Sequence, residues 1–87
     1  MSKEIADRYM KDLAREQASR TALSTAVTAI EGATGGKYDL GAMAAEETAR
    51  RVLDDRDSGL SLSERAEWGD KVRNAYKTQA YLSAAKK

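Results

Sequence analysis

Ser61-Leu62-Ser63-Glu64-Arg65-Ala66-Glu67-Trp68 opens the stretch that decides the fold. Ser61 and Glu64 stand three apart, the spacing of a capping box. There a serine oxygen accepts from the amide three residues on, and the glutamate turns back to the start. Beyond it, Trp68, Val72, Ala75, Tyr76, Gln79 and Leu82 recur at helical intervals on one face. The pattern predicts a helix over 62–84.

The same reading extends outward. Asp39 is placed to cap a second helix over 40–55, whose stripe is Ala42, Ala45, Ala49, Val52 and Leu53. Small residues there would let a neighbouring helix approach closely. Glu46–Arg50 and Glu47–Arg51 have the favourable i,i+4 order, worth about 0.2–0.5 kcal/mol each. Leu40 and Met43 fall off the stripe and are expected to pack on the preceding loop or on another chain. A first helix is expected over 2–31, capped by Ser2. Its faces are Ile5–Tyr9–Leu13 and, later, Ala22, Leu23, Ala26, Val27, Ala29 and Ile30.

No large apolar side chain lies between Leu13 and Leu23. Either one long helix passes a poorly packed middle, or the helix breaks near Ser19 and leaves the first 20 residues as an arm. Thr21–Ile30 holds no charge, whereas a surface helix carries charge on its wet face. That segment reads either as a central or interface-facing helix or as one with a solvated Ser/Thr face. Gly32, Gly35, Gly36 and Gly59 punctuate the links, and Gly41 and Gly69 fall inside helical patterns. With no proline and 16 alanines, the expected fold is all-α: a small three-helix bundle, or a helical hairpin with an N-terminal helical arm, in one domain over 1–87.

The core material is thin. Leu, Ile and Val number 12 in 87 residues and Phe is absent, yet net charge is only +1, so the chain is read as folded and not disordered. A domain this small buries only about 60% of its unfolded surface. Self-association or a partner is a common source of added stability at this size.

Several chemistries lack their usual residues. There is no histidine, the commonest general base and transition-metal ligand, and no cysteine. The acids show no spacing that singles out a catalytic pair, and no cofactor or metal is expected. Gly35-Gly36-Lys37 superficially suggests a phosphate loop, but Tyr38 follows where Ser or Thr is needed and Glu31 stands in place of the first glycine. Asp54-Asp55-Arg56-Asp57-Ser58-Gly59 resembles the start of a calcium loop, but the register puts Arg56 third and Arg65 twelfth, cations where carboxylates belong. The longest apolar run is Ala42–Ala45, far short of a membrane span, and the charged N-terminal residues are unlike a secretory leader. A cytoplasmic location is expected.

Charge is segregated. Residues 1–37 carry six bases and five acids, residues 38–70 four and nine, and residues 71–87 five and none. Arg73, Lys77 and Tyr81 fall at i, i+4, i+8 opposite the Trp68–Val72 stripe. They suit a protein contact or, as the alternative, a phosphate and a stacked base. The plain alternative has the cations answering the helix dipole and Tyr81 folding down onto the first helix. Asp54, Asp55 and Asp57 gather where a helix C-terminus disfavours acid. Arg56, or the basic tail of the same or another molecule, would compensate them, unless they form a simple solvated turn with Asp57 as a loop cap.

The function expected from these features is non-enzymatic: a small helical adaptor or inhibitor docking on a larger protein. Such stand-alone helical chains are common among accessory proteins of phages and mobile elements. Arg73, Lys77, Tyr81, Asp54, Asp55 and Asp57 are the candidate contact residues. A nucleic-acid-binding regulator and a structural homo-oligomer are the alternatives.

Overall fold

The computed structural model describes residues 2–85, and three α-helices carry the chain: α1 (Lys3–Glu31), α2 (Leu40–Asp54) and α3 (Leu62–Ala85). No strand occurs among the described residues. Ser2 caps α1, its side chain accepting from the Ile5 amide, and Asp39 caps α2 by accepting from the Ala42 amide at 2.9 Å. Ser61 Oγ accepts from the Glu64 amide at 3.1 Å and so caps α3.

The bundle core is small and lies among the second half of α1, α2 and the middle of α3. Leu23, Ala26, Ile30, Ala49, Leu60, Val72 and Ala75 form it, with Val27, Ala45, Val52, Leu53, Trp68 and Tyr76 packed partly buried around it. Ala42 and Ala49 are fully buried on α2, as expected of a small-residue face that draws a neighbour close. Two steps of the expected stripes are corrected. Ala29 is exposed, and on α3 Ser83 is buried in place of Leu82, because an inward face repeating every 3.6 residues reaches 72, 75, 79 and 83.

α1 does not break at Ser19. It runs unbroken through the segment that lacks large apolar residues, and polar groups hold that segment to the turn between α2 and α3. Ser19 Oγ donates to the Ser58 carbonyl at 2.9 Å. Arg20 bridges Glu16 on its own helix and Glu64 at the start of α3, with Nε–Oε1 at 2.7 Å in the second pair. Gly59, at φ +81°, lies so near Glu16 that an added Cβ would sit 3.1 Å from the Glu16 Cβ. Only glycine combines that left-handed backbone with so close an approach.

Every buried residue of α1 lies between Ser19 and Ile30. The first half of the helix runs past the bundle, and the molecule is accordingly elongated, 61 × 20 × 14 Å. Ile5, Tyr9 and Leu13, expected to form a face, are exposed there. The charge-free stretch resolves as a mixture. Leu23, Ala26 and Ile30 point into the core, while Thr21, Ser24, Thr25 and Thr28 form a solvated face. No helix is long and apolar enough among the described residues to cross a membrane.

Candidate functional site

The link between α1 and α2 sets the geometry of one broad face. A short 3-10 turn, Gly36–Tyr38, is docked on α3: Gln79 Nε2 donates to the Gly36 carbonyl at 2.9 Å, and the Tyr76 hydroxyl donates to the Lys37 carbonyl. Asp39 closes the turn from the other side, its Oδ2 accepting from the Gly35 amide at 2.8 Å. The Ala42 and then the Gly35 amide hold its carboxyl below the usual carboxylate range, against a smaller opposing effect of desolvation. These bonds pin Tyr76 between α2 and α3.

Around Tyr76 two shallow grooves join. One, of about 310 Å³, has Leu53, Gly69, Val72 and Tyr76 on its floor, Glu46 and Arg50 on the α2 rim, and Arg73 and Lys77 on the α3 rim. The second continues along α2 past Met43, Glu47 and Arg51 to Asp54. Glu46–Arg50 and Glu47–Arg51 are formed as ion pairs at 2.7 and 3.0 Å. Arg73 reaches Asp70 only at 3.8 Å on an exposed surface, a contact worth little. Lys77 has no ion-pair partner among the described residues.

The candidate residues therefore divide. Asp54, Arg73 and Lys77 line the joined α2/α3 face. Tyr81 lies beyond it, 75% exposed, and so does not fold onto α1. Asp57 lies on another side, in a shallow groove with Asp12, Arg15 and Arg56. Asp55 ends α2; its Oδ1 accepts from the Asp57 amide at 2.9 Å, so the loop cap is Asp55 and not Asp57.

Among the described residues, the cation that reaches the end of α2 is Arg65 and not Arg56, Lys71, Arg73 or Lys77. Arg65, one turn into α3, donates from Nη2 to the Asp55 carbonyl at 3.0 Å. Of the five tail cations, Lys86 and Lys87 lie outside the described residues.

Sequence reasoning misses three participants. The capping-box spacing turns Glu64 back to its own helix start, and its carboxylate also takes both Arg20 contacts. The Arg20 hydrogen bond is the main cause that holds it below the usual carboxylate range, outweighing desolvation, with the Arg20 charge and the Ser61 amide adding less. Tyr76 and Gln79, on the expected core stripe of α3, also position the link. The two off-stripe apolar residues expected to pack, Leu40 and Met43, remain 80% and 45% exposed in this chain.

Comparison with protein-family models, with curated proteins and with solved structures gives no match. The class rests on this chain's own geometry: a small all-α three-helix bundle with an elongated first helix.

Proposed function

We propose that this chain is a protein-interaction module, a small helical adaptor or inhibitor that docks on a larger protein through its α2/α3 face. The observation that carries the reading is the composition of that face. An apolar and aromatic floor, Leu53, Val72 and Tyr76, runs between acid at Asp54 and Glu46 and free base at Lys77. A floor of this kind between charged rims suits an amphipathic partner helix, with apolar anchors for affinity and charges of both signs for orientation. The distribution of apolar residues supports an interaction module in general, though of the exposed large apolar residues only Met43 lines this face. Among the described residues ten large apolar side chains are exposed and four are buried, so much of the chain's apolar surface lies outside its own core.

The test is capture of partners from the native host by three proteins: wild type, Arg73→Glu/Lys77→Glu, and Asp54→Lys. Partners lost from the variants and kept by wild type assign the face. Identical partners in all three remove it. Binding to DNA or RNA that falls steeply with salt and vanishes in Arg73→Glu/Lys77→Glu would reassign the same residues to phosphate contacts.

A further inference from the structure

We infer that the first half of α1, residues 3–16, pairs antiparallel with the same segment of a second copy of this chain. The pairing is independent of the α2/α3 face. It begins from an uncovered apolar stripe: Ile5, Tyr9, Met10 and Leu13 are 58, 59, 64 and 37% exposed on a stretch of helix with no buried residue. A helical segment of this length with no tertiary cover is marginal in water. Covering the stripe supplies what the bundle does not.

Charge selects the occupant and its direction. At 100° per residue, Arg8 and Asp12 fall on the same flank of the stripe. Neither is in an ion pair among the described residues. A two-fold axis perpendicular to two antiparallel helices brings like flanks together with reversed direction. Each Arg8 then meets the other copy's Asp12, Ile5 lies beside Leu13, and Tyr9 and Met10 meet near the axis. The apolar stripe centres near residue 9 and the charged pair at residue 10, an offset of about 1.5 Å, so one axis serves both. Parallel pairing sets opposite flanks together, which puts the two copies' Arg8 and Asp12 on separate edges of the seam and removes the contact between them. Residues 3–16 carry four bases and four acids, so self-association meets no net repulsion.

The segment is only about 20 Å long. It therefore covers less than the ~800 Å² per partner of a standard interface. The dimer is expected to dissociate in the range of roughly 1–100 µM.

Sedimentation of the full chain from about 1 µM to about 1 mM, at low salt, tests the inference. Wild type is expected to pass from monomer to dimer. Tyr9→Asp should weaken the dimer about tenfold or more, with circular dichroism melts reporting that the bundle stays folded, because residue 9 is remote from the core. Arg8→Asp and Asp12→Arg should each weaken self-association several-fold through repulsion across the axis. Mixed one to one, these two variants should restore dimer, because each of the two contacts across the axis then again pairs one acid with one base. A wild type that stays monomeric throughout would overturn the inference. So would a dimer untouched by Tyr9→Asp, or a mixture that associates no better than its components.

Discussion

Gly59→Ala probes the contact that fixes α1 against the α2–α3 turn. Gly59 has φ +81°, and a Cβ there would lie 3.1 Å from the Glu16 Cβ and 3.3 Å from its Cα. Two costs combine. A non-glycine residue in the left-handed region costs of order 1 kcal/mol. Overpacking against a helix backbone that cannot yield costs about 1–3 kcal/mol more. The expected loss is about 2–4 kcal/mol, or roughly 10–30 °C in thermal midpoint for a domain of this size.

Gly36→Ala is the control. Its φ is +73°, but the nearest atom to an added Cβ is the Ser83 Cβ at 3.9 Å, an ordinary contact. That variant should lose only the backbone share, about 1 kcal/mol. Thermal and urea melts followed by circular dichroism measure both. Equal losses for the two variants would refute the close approach of Gly59 to α1, and with it the docking of the turn.

Three further outcomes follow from the same contacts. Ser19→Ala strips the hydroxyl that donates to the buried Ser58 carbonyl, and the orphaned acceptor should cost about 1–3 kcal/mol in urea unfolding. Gly69→Ala should stabilise by up to about 1 kcal/mol, since an added Cβ meets only the Leu53 Cδ1 at 4.0 Å and alanine is the better helix former; a melt at lower temperature than wild type would contradict the spacing of α2 and α3. Asp39 and Glu64 are held below the usual carboxylate range. The folded state therefore binds their protons less readily than the unfolded chain does. Their contribution is fully present above the unfolded value of about 4 and is lost as pH falls through the folded values. Urea midpoints should decline with acid below about pH 4, and Arg20→Ala should make that decline shallower by releasing Glu64.

The three helices were legible in the sequence because each carries its own local signals. Ser2, Asp39 and Ser61 cap them, and apolar residues recur every three or four positions. Side chains that reach across the chain were not legible. Ser19, Arg20 and Glu16 look like filler in a gap between apolar stripes, because periodicity reports burial on one helix and is silent about partners more than 40 residues away, such as Glu64. The shared role of Glu64 was hidden for the same reason: its spacing from Ser61 announces a cap, and nothing local announces Arg20. For the candidate surface, charge segregation singled out Asp54, Arg73 and Lys77. Their convergence around Tyr76 depends on how α2 and α3 pack, which no spacing encodes. Asp57 and Tyr81 share the local signals of their neighbours but diverge in space.

Both the docked turn and the uncovered stripe require α1 to be one continuous rod that leaves the bundle at Glu16. The chain has no cysteine, so two introduced ones can carry spin labels without background. Lys11 and Ala29 are both exposed and lie eighteen residues apart, five full helical turns, on the same side of α1. Dipolar distance measurement on Lys11→Cys/Ala29→Cys, diluted with unlabelled protein, should give one narrow distribution consistent with a Cα separation of about 27 Å. A broad distribution, or a mode well short of that distance, would mean that the helix breaks near Ser19 and would contradict the continuous rod.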